Sequence, residues 1–327
     1  MRRQQKLVWV GVVSMLAACT APAAQEPGSG RGVTQADLDR WTVELSNWGR
    51  WGADDEIGTM NLVTPDKRIA AAALVREGVS VSLAQDVLKQ EAEDNPNPFE
   101  HTMRSVGSDA FAVSYHGWAH THLDALAHVR DENGAMYNDY RPDEATVMAA
   151  GGHARNSIHN LKSGVFTRGI LMDIPRLRGL PYLDPETPIY VEDLEAWERA
   201  AGVRVAAGDA VFIRTGRWAA RDVLGPFRIG RTGRSAGLHP STIPWLRERD
   251  VALLGSDVAL AVAPSDLPGA AHDFALVTLG IHLFDNCNLE ALGETAAALG
   301  RWEFLLTAAP LAVWGGTGSP INPIATF

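Results

Sequence analysis

His116-Gly117-Trp118-Ala119-His120-Thr121-His122-Leu123-Asp124-Ala125-Leu126-Ala127-His128 places four of the chain's ten histidines within 13 residues. If residues 116–124 are extended, the two-residue period of a strand sets His116, Trp118, His120, His122 and Asp124 on one face. Neutral imidazole and carboxylate together suit zinc or manganese, whereas a thiolate site would need cysteines, of which the chain has two. A histidine-rich strand with its imidazoles satisfied by packing or water is the better reading for any single histidine. It accounts poorly for the whole group.

Working outward, residues 79–83 alternate as a strand does, and residues 65–77 before them have helical spacing. Downstream, residues 169–174, 210–214 and 251–254 are short apolar runs bounded by turn formers, which predicts buried strands. Helical patterns intervene at residues 191–201, 241–249 and 273–279. The elements predict an α/β or mixed α+β fold. No internal repeat and no second linker interrupts the chain after Gln35, so residues 35–327 are expected to form one domain.

The amino terminus reads differently. Arg2, Arg3 and Lys6 precede an apolar run ending in Leu16-Ala17-Ala18-Cys19, the pattern of a secretion signal. The run is shorter than the roughly 20 residues of a membrane span. Its end resembles a lipobox, which predicts a signal peptide at residues 1–18, lipidation of Cys19 and a membrane anchor facing the periplasm or exterior. The alternative is an ordinary signal peptide cleaved near Ala23 or Ala24. Residues 19–34 are rich in Pro, Gly, Ser and Gln and predict a flexible tether. Loss of residues 1–18 leaves 26 Lys and Arg against 39 Asp and Glu, a net charge of −13, which argues against nucleic acid as a partner. With Cys19 lipidated no intramolecular disulfide can form, and Cys287, in an apolar stretch, is expected to be a buried small hydrophobe.

The histidine stretch resembles the cyclase family of metal-dependent hydrolases, which includes bacterial kynurenine formamidases and isatin hydrolases and has the pattern His-x-Gly-Thr-His-x-Asp-x-Pro-x-His. Thr121, His122, Asp124 and His128 match it. The resemblance implies that His122 and Asp124 bind metal and that His128 is the acid-base histidine serving the leaving nitrogen. Trp118 stands where the family has its first ligand, His120 replaces the glycine and Leu126 the proline. His120 is the expected substitute ligand, with His116 as the alternative if a strand irregularity turns it inward. The family's second ligand pair, a histidine opening a helix and an acidic residue about a dozen positions later, corresponds to His272 and Asp285, the latter where many members have Glu. Read without the resemblance, His272 would cap or pack at its helix and Asp285 would hold a turn.

The resemblance covers roughly residues 45–327, through residues 51–61, 208–216, 236–239, 254–257 and the tail 315–325. It implies the swivelling β/β/α domain, a homodimer, and one or two divalent ions, Zn or Mn. It also implies hydrolysis of a small-molecule amide, either N-formylkynurenine to kynurenine and formate or the ring of a cyclic amide such as isatin. Trp118 is the candidate aromatic substrate contact, and His239, after its glycine turn, a second one. The glycine-rich tail lacks the lysine of a phosphate-binding loop, and no Gly-x-Ser-x-Gly elbow suggests a serine nucleophile. The rival function is a lipid-anchored binding protein, against which the spacing of His128 argues, since capture needs no proton donor.

Overall fold

The apolar runs expected as buried strands are strands, and further strands join them from polar or mixed stretches. In chain order they are β1 (Ser80–Ser82), β2 (Glu100–Ser105), β3 (Ser108–Ala112), β4 (His122–Asp124), β5 (Val165–Asp173), β6 (Pro188–Ile189), β7 (Ala210–Arg214), β8 (Gly237–Leu238), β9 (Leu253–Ser256), β10 (His282–Asp285), β11 (Glu303–Ala308), β12 (Gly318–Pro320) and β13 (Ile324–Thr326). The computed structural model describes residues 32–327, of which Val33–Phe327 form one compact unit. The expected signal peptide, the lipidation at Cys19 and most of the tether lie outside the described residues.

Nine strands form one sheet in the order β1-β13-β11-β5-β7-β9-β10-β4-β12. The four central strands β5, β7, β9 and β10 are parallel, and the other pairings of this sheet are antiparallel. Parallel strands covered on both faces are apolar at consecutive positions. Accordingly Ile170, Met172, Val211, Ile213, Leu254 and Leu283 enter one core, while their neighbours Leu171, Phe212, Leu253 and Phe284 enter the other. The helices Val191–Ala201 and Ile243–Glu248 cover the first face through Leu194, Trp197 and Trp245. The helix Glu290–Leu299 covers the second through Leu292 and Ala296. This is a mixed α+β architecture.

Where local chemistry is strong, expectation and structure coincide. The helix at Val191–Ala201 starts where the Asp193 carboxylate accepts from the Tyr190 backbone N–H at 2.9 Å and stops at Gly202, whose φ is +65°. Elsewhere they differ. The helix expected over residues 65–77 ends at Ala72. The helix expected over 273–279 begins at Ala270, and its second half, Ala275–Leu279, widens into a π-helix before Gly280. The hairpin of β2 and β3, which stands outside the main sheet, has almost no buried residue and so had no apolar alternation to announce it.

The most consequential difference is in the histidine stretch, which is not extended from 116 to 124. Only His122–Asp124 is a strand, and residues 117–120 bend. Asn286, in a left-handed conformation with φ of +54°, holds the bend. Its amide donates to the Gly117 carbonyl at 2.7 Å, and its own carbonyl accepts from the Thr121 hydroxyl at 2.8 Å. Thr121 Oγ1 in turn accepts from the Gln85 backbone N–H at 2.8 Å. The period of two therefore fails before His122.

Candidate metal centre

β4 lies between β10 and β12, and its register builds the site. His122 is directly opposite Asp285, and Asp124 is opposite Leu283 on one side and Gly318 on the other. Opposed residues share a face, so the pairing of β4 with β10 sets the imidazole of His122 beside the carboxylate of Asp285. The helix Ala270–Phe274 adds His272, the turn after β4 adds His128, and the bend before β4 adds His116.

These groups converge on Asp124, whose side chain is fully buried. Asp124 Oδ1 lies 3.0 Å from His116 Nδ1 and 3.3 Å from His122 Nε2. Asp124 Oδ2 lies 3.4 Å from His272 Nε2 and 3.8 Å from His128 Nε2. Asp285 Oδ2 is 3.4 Å from the same His272 nitrogen. Two groups of potential donors share Asp124: His116, Asp124 and His128, and His122, Asp124 and Asp285, with their donor atoms within 4.8 Å of one another.

The hydrogen bonding of this cluster fits a cation. Both Asp124 oxygens, Asp285 Oδ1 and His116 Nδ1 are buried without a hydrogen-bond partner. Such atoms are costly to leave unpaired and call for an ion or water. The donor set is imidazole and carboxylate without thiolate, which suits zinc or manganese. Cys287, fully buried with its thiol pushed well up by burial, offers none.

Outer contacts orient the imidazoles. His122 Nδ1 donates to the His120 carbonyl at 2.8 Å, which leaves Nε2 facing the carboxylates. Thr317 Oγ1 lies 2.8 Å from His116 Nε2, which turns Nδ1 toward Asp124. The rings of His116 and His128 stack at 3.9 Å with an interplanar angle of 6°. His282, fully buried, has Nδ1 at 3.1 Å from the Asp124 carbonyl, and burial pushes its pKa down to about 4.

The electrostatics are those of opposed groups forced together. Burial opposes ionisation of Asp124, but His128 and His122 outweigh it and hold its pKa well below the ordinary value. Burial lowers His122 too, yet Asp124 and Asp285 raise it to about 8. For His272 burial is again outweighed, by Asp124, Asp273 and Asp285, and the pKa stands well above the usual value. In His128 burial wins and the pKa falls to about 4.

His116, His122, His128, His272, Asp285 and Trp118 line one cavity of about 440 Å3, completed by apolar residues such as Val129, Ala261 and Val262. Trp118 is thus at the cavity wall. Two expected residues are elsewhere. His120 turns away, with Nε2 3.3 Å from the Asn97 carbonyl and its ring 6.2 Å from that of Phe99, because the bend breaks the shared face with His122. His239 caps the turn Pro240–Thr242, with Nδ1 accepting from the Ser241 N–H at 3.2 Å and the ring 4.8 Å from Tyr190, and it does not line the cavity. Thr317 and Asn286 went unrecognised in the sequence. The Gly-Thr-Gly tail and an asparagine one residue after Asp285 gave only turn signals.

The Cyclase family model matches residues 80–261. A crystal structure described as a novel cyclase is 31% identical, with a TM-score of 0.77 over 86% of this chain and 99% of that one. An isatin hydrolase bound to the product analogue thioisatinate is 20% identical, with a TM-score of 0.53 over 80% of this chain and 98% of that one. Isatin hydrolase A from Labrenzia aggregata, bound to benzyl benzoate, is 20% identical with a TM-score of 0.52 over 78% and 94%. No curated protein matches the chain. The family model spans more than half of the chain and the first of these structures nearly all of its fold, so the chain belongs to the cyclase family.

Proposed function

We propose that this protein is a metal-dependent hydrolase that cleaves an aryl formamide, as in conversion of N-formylkynurenine to kynurenine and formate. The observation that carries the hydrolase reading is the convergence of four imidazoles on the unpartnered buried oxygens of Asp124, in the wall of an otherwise largely apolar cavity. His116, His122, Asp124, His272 and Asp285 would hold the ion. A divalent cation in such a set supplies Lewis acidity toward a carbonyl and brings the pKa of water toward about 7.

The chain's own groups handle position and protons. Trp118 offers an indole face to a flat aromatic ring. His128, neutral because burial holds its pKa near 4 and lining the cavity with Nε2 3.8 Å from Asp124 Oδ2, can take the proton released as water adds to the carbonyl. It then passes that proton to the departing nitrogen as the C–N bond breaks, giving an acid and a free amine. A second reading, hydrolytic opening of a cyclic amide, draws support from the solved relatives that are isatin hydrolases. Both use the same proton transfer.

The test is an assay of purified protein on N-formylkynurenine and isatin, with metal content measured in the same sample and chelator as control. Chelator-sensitive release of formate supports the formamidase reading, and ring opening of isatin alone supports the second. Stoichiometric metal without turnover of any amide would favour the binding-protein alternative. The ligand assignment has a separate expected result. His116→Ala lowers metal content, His120→Ala leaves it unchanged, and His128→Ala retains metal while turnover drops about 100-fold or more, the usual contribution of a positioned acid-base group. Metal loss in His120→Ala with none in His116→Ala would reverse the assignment.

A further inference from the structure

His272 has one ring nitrogen toward the site and one away from it. Nε2 lies 3.4 Å from both Asp124 Oδ2 and Asp285 Oδ2, and Nδ1 lies 3.2 Å from Asp273 Oδ1. Asp273 does not stop there: its Oδ2 is ion-paired with the guanidinium of Arg231. Arg231 comes from a segment 42 residues earlier in the chain and is anchored a second time, by donation to the Pro268 carbonyl at 2.9 Å. The guanidinium packs against Gly269, where a Cβ would stand 2.6 Å from Arg231 Cζ, so only glycine leaves room for it there. The neighbouring Gly230 packs as closely on Trp118, where a Cβ would stand only 2.5 Å from the indole nitrogen and would not fit.

Resting on the metal-site reading above, we propose that Asp273 and Arg231 are positioning residues for His272. Arg231 fixes the Asp273 carboxylate, Asp273 accepts the Nδ1 proton of His272, and the Nε2 lone pair is thereby aimed at the space shared by Asp124 and Asp285. A histidine bound through one nitrogen is oriented by what holds the other, and loss of that outer partner typically costs about 10–100-fold in metal affinity. The same segment walls the cavity, Arg231 and Gly230 both lining it, so the pocket wall and the orientation of the ligand are mechanically one piece. The Arg231 side chain is 55% exposed.

The experiment is a metal titration of the stripped full chain, with zinc and manganese competed against a chromophoric chelator, in the absence of substrate. Asp273→Asn is expected to weaken binding about 10–100-fold. Arg231→Gln is expected to weaken it less and in the same direction, with Arg231→Lys recovering part of the loss. Because Arg231 acts through Asp273, adding Arg231→Gln to Asp273→Asn should produce no further loss. Tight binding by the unaltered chain with Asp273→Asn within twofold of it, or full additivity in the double variant, overturns the proposal and leaves the metal reading intact. No uptake of either ion by the unaltered chain overturns both. Arg231→Gln is a surface change, so it keeps the test available should Asp273→Asn fold poorly.

Discussion

Asp124→Asn is expected to abolish stoichiometric metal binding and to lower turnover at least about 100-fold, more than the loss of an outer partner brings. Asp124 is the residue common to both groups of potential ligands, and its oxygens are the atoms that His116, His122, His128 and His272 approach. Asparagine keeps the shape but removes the charge and replaces one acceptor with an NH2 donor. Four buried or half-buried imidazoles would then face a neutral amide, and no carboxylate on β4 would balance a divalent ion. Elemental analysis of the variant, alongside activity and a far-ultraviolet spectrum to show that it is folded, decides the matter. Retention of a full complement of metal by a folded variant would remove Asp124 from the centre of the site.

Arg217→Ala is expected to cost about 3 kcal/mol of stability, toward the lower end of the range for breaking a buried ion pair. Arg217 and Asp94 have side chains only 1% exposed and lie 3.2 Å apart. Arg217 also donates to Asn286 Oδ1 at 3.1 Å and lies over the Trp218 ring at 4.1 Å, and burial lowers its pKa to about 10. Removal leaves Asp94 with Arg221 alone, at 2.6 Å, which is why the cost stays at the low end. The same change frees Asn286, which holds the bend that delivers His116, so weaker metal binding should accompany the lost stability. Urea unfolding of the two proteins at one pH measures the first, and metal titration the second. A change below about 1 kcal/mol would mean that the pair adds little beyond what its desolvation costs.

How much of this was legible in the sequence depends on the range of the interactions involved. The strand at Ala210–Arg214 and the helix at Val191–Ala201 were read with the bounds they have, because turn formers, a capping carboxylate and a terminating glycine lie within a few residues of each end. His122 and Asp124 share a face because both lie in a true strand. The 3.6-residue spacing over 65–77 failed to stop at Ala72, since the pattern continues past the point where packing ceases. The exposed hairpin of β2 and β3 carried no pattern that would distinguish it from a loop.

The sequence by itself determined the chemistry available to this protein: imidazole and carboxylate in place of thiolate, clustered at residues 116–128, and runs of apolar residues sufficient for a two-faced sheet, while the second pair at His272 and Asp285 came only with the resemblance to the cyclase family. Only the tertiary structure decided which histidine is brought beside Asp124. Parity along an extended chain makes His116 and His120 equivalent, and a bend pinned by Asn286, more than 160 residues downstream, is what separates them. The register that sets Asp285 opposite His122 is likewise a long-range pairing. Neither leaves a mark in the local sequence, because hydrogen bonds between distant segments constrain the partners' geometry rather than the residues on either side of them.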